Sequence, residues 1–445
     1  MRFIWLLCLS CLTTSAFAQP ADAAKEALRE QLQMLALLPQ QGGATTLRVV
    51  PEQRDNTTDF SEAELQQTLH QFWLSHGVEL DDSRQLLTDE FYRVNARVTQ
   101  LLALHEQQVW LPLAPGGWLR PGDNHRDIPA IAQRLALLGD LTSAPTTEYD
   151  YSDELADAVR HFQRRHGLKV DGVIGSETLY WLNVTPLQRA TLLVKVYVEQ
   201  TALRYQLPAQ YVLVNVPAYE LEFVNDGQLV LQSKVVVGLP YRQTPMLQSE
   251  ITSVVLNPRW HVPRSIVRRN LLPHIRKDSN YLEQQAFDVY DLQGQQIPLA
   301  DVDWSEQAYG RFPYRLVQRP GEHNALGRYK FHFANGFDVY LHDTPEKSLF
   351  AKSQRALSSG CVRVEKAAEL AQWLGEHVVA DARKWQQMQY DYTTTQWFKL
   401  RQRIPVYIVY WTAWVNEQGI AEFRPDIYNK EPLAAPAVHS ETHGD

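Results

Sequence analysis

The feature that most constrains this fold is a change of period part-way along the chain. In the first part, apolar residues recur at three and four, as in Leu65, Leu69, Phe72 and Trp73, or Val94, Val98, Leu101 and Leu102. That spacing lines one face of an α-helix. After residue 190 the spacing becomes two, in TLLVKVYV, YVLVNVPAYELEFV, LVLQSKVVVG and ITSVVLNP, with Asn225-Asp226-Gly227 as a turn between strands. The two periods bury different faces, so the sequence predicts a multidomain α+β chain: helices first, then a mainly β domain over 190–432.

Punctuation subdivides both parts. Residues 19–56 hold one helical segment, ADAAKEALREQLQMLALL, and a polar linker. Residues 57–117 read as a helical scaffold, closed by the breaker run Leu111-Pro112-Leu113-Ala114-Pro115-Gly116-Gly117. Over 118–184 the pattern tightens. Ile128, Ile131, Leu135 and Leu138 form one stripe that stops at Gly139. Leu155, Val159 and Phe162 form a second, with Ser152 as N-cap and Gly167 at the C-terminal end, and a short third helix follows the Asp171-Gly172 turn. Residues 258–325 interrupt the β domain with NPRWHVPRSIVRRNLLPHIRK and an aromatic stretch containing Trp304, Tyr309, Phe312 and Tyr314. An insertion of that size predicts a lid, its aromatics supplying apolar area to cover a ligand. Residues 433–445 are a tail.

The opening MRFIWLLCLSCLTTSAFAQP places Arg2 before an apolar run and ends in Ala16-Phe17-Ala18. That pattern predicts a secretory leader over 1–18 and an exported, periplasmic protein. Cys8 and Cys11 fall inside the leader, and neither has the aliphatic residue three positions upstream that lipid anchoring needs, so Cys361 is left alone. With 43 Lys plus Arg against 51 Asp plus Glu, the net charge is −8. Bulk attraction to nucleic acid is thereby disfavoured, and export argues the same way. Arg160, Arg164, Arg165 and Lys169 make a basic run that a helix-turn-helix reader would also carry, but such a run is usually a solvated helix face. Oligomeric state is not legible.

Why an exported chain keeps one unpaired thiol is answered by its neighbours. GRYKFHFANGFDVYLHDTP reads as a hairpin about Asn335-Gly336. With a two-residue loop, Tyr329 faces His342 and His332 faces Val339. His342 then shares a face with Tyr340, Phe331 and Phe333, and His332 points to the other. The chain returns at Ser358-Ser359-Gly360-Cys361-Val362-Arg363, followed by a helical stripe of Ala367, Leu370, Ala371 and Leu374. A nucleophilic Cys needs a base or a positive charge to raise its thiolate fraction, and His342 is the candidate base. Backbone amides of Ser359, Gly360 and Cys361 are candidate donors to an oxyanion. A small buried hydrophobe is the plainer reading of a lone Cys, which the SSGC context and Arg363 outweigh.

Those residues carry a resemblance. YLHDTP, followed nineteen positions after its His by the Cys of SSGCVRV, resembles the active-site signature of the L,D-transpeptidases. VNVPAYELEF, NPRWHVP and FRPDIYN are similar to the larger Gram-negative members, and the two halves of 118–184 resemble a three-helix peptidoglycan-binding module. The resemblance implies Cys361 as nucleophile, His342 as base, Ser358, Ser359 and Gly360 as nucleophile loop, and Arg363 and Tyr340 as supporting residues. It implies attack on the third residue of a tetrapeptide stem, release of terminal D-Ala, and resolution of a thioester by the amine of a second stem to give a 3,3 cross-link. It also implies acylation by carbapenem β-lactams, no cofactor, no metal, and a capping role for 258–325. Thr244-Pro245-Met246-Leu247 stands where short members have a Pro-x-Gly turn.

Two rival readings have some support in the residues. A metallopeptidase would draw on His261, His274, His323, His332, His342 and Asp343, but no H-x-x-x-H spacing is present and the predicted hairpin separates His332 from His342. A non-enzymatic wall-binding scaffold would bind sacculi without releasing D-Ala. Trimming by water and attachment of a lipoprotein use the same donor machinery.

Overall fold

The computed structural model describes residues 20–38, 60–142 and 148–431. The expected leader, most of the 19–56 linker and the 433–445 tail lie outside the described residues. The helices of the first part are α1 (Pro20–Leu35), α2 (Glu62–Ser75), α3 (Asp89–Gln107), α4 (Ile128–Leu138), α5 (Asp153–Arg165), α6 (Ser176–Asn183) and α7 (Pro186–Arg204). The chain divides into two compact units.

The first unit holds α1, α2, α3 and α7. Ser61 and Glu64 close a capping box at the start of α2, and the Thr88 hydroxyl caps α3, satisfying amide donors that the helix leaves open. Leu65, Leu69, Trp73, Phe91, Val94 and Val98 are buried, and Trp73 meets Tyr197 edge-on with ring centroids 6.2 Å apart. The TLLVKVYV segment is therefore not a strand. It lies within α7, where Leu192, Leu193, Val194, Val196, Tyr197 and Val198 are all buried. A helix buried over most of its circumference carries apolar residues at neighbouring positions, and length should have decided: the helix extends from Pro186 for 19 residues. The strand pattern starts at Tyr211 instead.

The second unit contains the remaining helices and all the sheet that positions the site. In its N-terminal module, α4 ends on left-handed Gly139, the Ser152 hydroxyl accepts from the Leu155 N–H to start α5, and Gly167 turns with φ 63° after it. Residues ahead of this module belong to it as well: the Trp110 indole donates to the Leu182 carbonyl, and the Leu113 N–H donates to Asn183.

The strands are β1 (Tyr211–Asn215), β2 (Glu220–Asn225), β3 (Gln228–Gly238), β4 (Leu247–Leu256), β5 (Trp260–His261), β6 (Phe287–Tyr290), β7 (Gln296–Ile297), β8 (Arg315–Gln318), β9 (Tyr329–Phe333), β10 (Leu341–His342), β11 (Ala356–Ser358), β12 (Val362–Val364) and β13 (Gln396–Val409). Nine of them run in the order β11-β3-β12-β10-β9-β4-β13-β1-β2, and β2 also pairs with β3, which closes the sheet into a barrel with β11 attached to β3. Closure removes the free edges that an open sheet must protect. Val212, Val237, Val254, Phe331, Leu341 and Val362 fill its core, joined by Ala367, Leu370, Ala371 and Leu374 of the helix Ala367–His377.

The insertion is a folded subdomain. It contains the sheet β5-β8-β6-β7 and its own core of Ile275, Phe287, Val289, Trp304, Ala308 and Leu316. Trp304 is buried there, with Phe312 and Tyr314 packed on it. Those three rings are thus structural rather than a ligand-covering surface, and only Tyr309 is exposed.

Candidate active site

The hairpin register differs from the two-residue-loop expectation by one position. Leu341 lies opposite Phe331 and His342 opposite Lys330. The cause is Asn335, whose side-chain amide donates to the carbonyls of Phe333 and Val339 and whose oxygen accepts from the N–H groups of Phe337 and Val339. That clamp holds a wider loop, with Asp338 in the left-handed region. Phe331, Phe333, Val339 and Leu341 consequently face the core, whereas Lys330, His332, Tyr340 and His342 take the other face. His332 and His342 share a side after all. His332 packs against Trp397, ring centroids 5.3 Å apart. Among the described residues, no three His, Cys, Asp or Glu side chains are grouped to hold a metal.

On its other edge β10 runs parallel to β12, with Leu341 opposite Val362 and His342 opposite Arg363, and the Val362 N–H donates to the Tyr340 carbonyl at 3.1 Å. Leu341 and Val362 point into the core, so Tyr340, His342, Cys361 and Arg363 project together into a cleft of about 1100 Å³. Cys361 stands beside Tyr340, and His342 is one pair further on. The outer wall is the start of the insertion, Arg259 to Ile266 and Arg269, so this basic segment, rather than the aromatic stretch, meets the site.

The His342 Nδ1 lies 2.5 Å from the carbonyl oxygen of Asp343. A carbonyl only accepts, so Nδ1 carries the hydrogen and Nε2 keeps its lone pair. Burial, reinforced by the Arg363 charge, lowers the imidazole pKa to about 3. The ring is therefore neutral at ordinary pH and able to take a proton. Asp343 does not orient it by its carboxylate, which accepts from the Arg328 N–H at 2.9 Å and pairs with Lys347 at 2.6 Å. Burial also pushes the Cys361 thiol up, against hydrogen bonds from Tyr340 and the charges of Lys330 and Arg363. The resting pair is thiol and neutral imidazole, not thiolate and imidazolium.

Cys361 is half-buried and free, its Sγ 3.9 Å from the Asp338 carbonyl. Gly360 adopts φ 121°, open only to glycine without strain. The Ser358 hydroxyl accepts from the Gly360 N–H at 3.1 Å and donates to the Cys361 carbonyl at 2.6 Å. The Gly360 amide is thereby engaged, contrary to the expectation that it faces an oxyanion; the Ser359 and Cys361 amides remain for that role. Ser359 Oγ accepts from Arg242, which also donates to Asn270 of the insertion. Arg363 pairs with Glu346.

Two groups went unrecognised in the sequence. Thr244 and Tyr428 brace the loop from beneath: the Thr244 N–H donates to the Tyr428 hydroxyl at 3.1 Å, and that hydroxyl donates to the Gly238 carbonyl at 2.7 Å. TPML stood out only as a departure from the short members' turn, and FRPDIYN only as a likeness to the larger members, with no role for either side chain. Lys330 was missed because the register set it on the wrong face; its ammonium lies 3.8 Å from the Tyr340 ring centroid.

Comparison with known proteins decides the family of this domain. Residues 209–396 match the YkuD model, described as the L,D-transpeptidase catalytic domain. The chain carries an L,D-transpeptidase catalytic domain. Residues 124–182 match the model described as "Putative peptidoglycan binding domain". A Haemophilus influenzae protein named "Putative L,D-transpeptidase" is 40% identical over 218 residues, covering 49% of this chain and 44% of that one. The chain thus spans less than half the length of the curated relative it matches. Solved L,D-transpeptidases are more distant. One from Xylanimonas cellulosilytica is 16% identical, with 67% of this chain and 100% of that chain covered, at a TM-score of 0.21. The ertapenem-acylated catalytic domain from E. faecium is 10% identical, with 46% and 98% covered, at 0.23.

Proposed function

We propose that this chain is a peptidoglycan L,D-transpeptidase that works through a cysteinyl thioester and forms 3,3 cross-links. The observation that carries the reading is the projection of Cys361 and His342 from neighbouring strands into one cleft, with the His342 Nδ1 fixed as a donor. His342 Nε2 takes the Sγ proton as Cys361 attacks the carbonyl of the third stem residue. The Ser359 and Cys361 amides stabilise the oxyanion. The imidazolium then protonates the leaving amine, terminal D-Ala departs and a thioester remains. Neutral His342 next removes a proton from the amine of a second stem, that nitrogen attacks the thioester carbonyl, and the proton returns to Sγ. A resting neutral pair suits this order, because the proton moves only as the substrate arrives.

Ser358 and Arg363 hold the loop and the charge balance, and Tyr340 hydrogen-bonds the thiol. The 118–184 module holds the enzyme on the wall, and the insertion caps the bound stem. The protein acts in the periplasm after loss of its leader, needs no cofactor, and is acylated at Cys361 by carbapenems. Water or a lipoprotein lysine would use the same thioester, giving trimming or attachment. Incubating the purified chain with tetrapeptide muropeptides and weighing the products separates these outcomes. D-Ala release with cross-linked dimers supports the reading, and sacculus binding without release overturns it.

A further inference from the structure

The cleft is unusually cationic for a chain of net charge −8. Arg242, Arg259, Arg269, Lys330, Arg363 and Lys430 line it. Some of these charges are already matched. Arg259 pairs with Asp288, Arg363 with Glu346, and Arg242 is held by Ser359 and Asn270. Lys330 stands beside the reacting pair. It is opposite His342 in the ladder, its ammonium lies over the Tyr340 ring, and Tyr340 stands beside Cys361. Among the described residues it forms no ion pair, although it feels the charge of Asp338. Burial lowers its pKa, against the raising effect of Cys361 and Asp338 nearby.

A cation so placed beside a nucleophile has a natural anion to meet. When a thiolate attacks a peptide carbonyl, the α-carboxylate of the residue being expelled lies within about 4 Å of the attacked carbon, one amide bond and one Cα away. Resting on the transpeptidase reading above, we infer that Lys330 binds the terminal carboxylate of the leaving D-amino acid, so that the enzyme selects donor stems ending in a free carboxylate. The carboxylate would complete the missing ion pair and fix the scissile carbonyl over Sγ.

The test compares two donors on the purified full chain: a stem tetrapeptide ending in D-Ala and the same peptide ending in D-alaninamide, with release followed by mass. Wild type should favour the acid by about 10- to 100-fold, the range for losing one charge-assisted hydrogen bond. Lys330→Gln should remove that preference by raising KM for the acid far more than it slows release from the amide, and Lys330→Arg should restore most of it. The wild-type comparison requires no variant to fold. Equal rates on both donors in wild type, or a Lys330→Gln protein that keeps the preference, overturns the assignment while leaving the transpeptidase reading intact. Equal losses on both donors with slower alkylation of Cys361 by iodoacetamide assign Lys330 to the thiol instead, and overturn it too. A wild type that releases neither product overturns the transpeptidase reading itself, and this inference with it.

Discussion

The Thr244 hydroxyl donates to the carbonyl of Gly360 at 2.8 Å and accepts from the N–H of Gly238 at 2.9 Å. One buried side chain thus ties the loop that presents Cys361 to the end of β3. The approach is close: a Cβ at Gly238 would fall 2.1 Å from the Arg242 carbonyl oxygen. Thr244→Val keeps the shape but leaves a buried carbonyl and a buried amide unpaired, which costs about 1–3 kcal/mol. The expected result is a lower melting temperature together with slower carbapenem acylation, read by mass, and near-normal behaviour for Thr244→Ser. A Thr244→Val protein of unchanged stability and acylation rate would show that the loop holds without it.

Replacing Cys361 with Ala should abolish D-Ala release and covalent capture of a carbapenem. His342→Ala should slow acylation by roughly 100- to 10,000-fold, the cost of a lost general base. His332 now shares a face with His342, but it lies against Trp397 and is not among the residues lining the cleft. His332→Ala should therefore lose less than about 10-fold, far below the general-base range. Acylation rates of the three variants decide the matter, and equal losses at His332 and His342 would place both in the reaction.

Much of this was legible from local pattern. The caps at Ser152 and Gly139, the helix after Cys361, and the His-to-Cys spacing all follow from neighbours in sequence. The failures share a cause: tertiary contacts. TLLVKVYV alternates like a strand, yet burial over most of the circumference of α7 makes it helix. Asn335-Gly336 signals a tight turn, yet the Asn335 side chain bonds across to Val339 and widens it. That single position moved Lys330 and His332 to the cleft side and Phe331 and Phe333 to the core. Likewise Thr244 and Tyr428 gain their meaning only when β3 and the segment near residue 428 meet.

The pH dependence follows from a thiol held high and an imidazole held low. Alkylation of the free enzyme by iodoacetamide requires thiolate, so its rate should climb steadily with pH and show no plateau below 9. His342, at about 3, contributes no inflection between pH 5 and 8. A rate profile of alkylation against pH checks both. A plateau already reached near neutrality would mean that a thiolate–imidazolium pair exists at rest.

The insertion is clamped at its base by Asn324, which is buried and donates to the carbonyls of Pro258 at 2.9 Å and Arg319 at 3.0 Å. Asn324→Ala should loosen the cap and admit water to the thioester. The expected readout is a higher ratio of trimmed to cross-linked product, measured by mass. An unchanged ratio with the fold intact would separate the cap from water exclusion.

The 118–184 module is seated within its unit by a buried ion pair and the contacts around it. Arg165 and Asp140 form a buried ion pair, Arg165 also donates to the Ala421 carbonyl, and Arg424 donates back to the carbonyl of Arg165. Phe423 stacks on His166 at 5.3 Å. Burial alone would push the Asp140 carboxyl up, but Arg165 and His161 hold it below the usual range. Asp140→Asn leaves a buried guanidinium without its counter-charge, which costs about 3–5 kcal/mol. The sign with pH follows: a carboxyl depressed in the folded state stabilises above its unfolded pKa of about 3.9, and that contribution fades as pH falls through the folded value. Thermal melts of wild type and Asp140→Asn should therefore differ widely at pH 7 and converge below about pH 4. A gap that stays constant down to pH 3 would mean that the variant loses packing rather than charge, and would remove the ion pair as the anchor of the module.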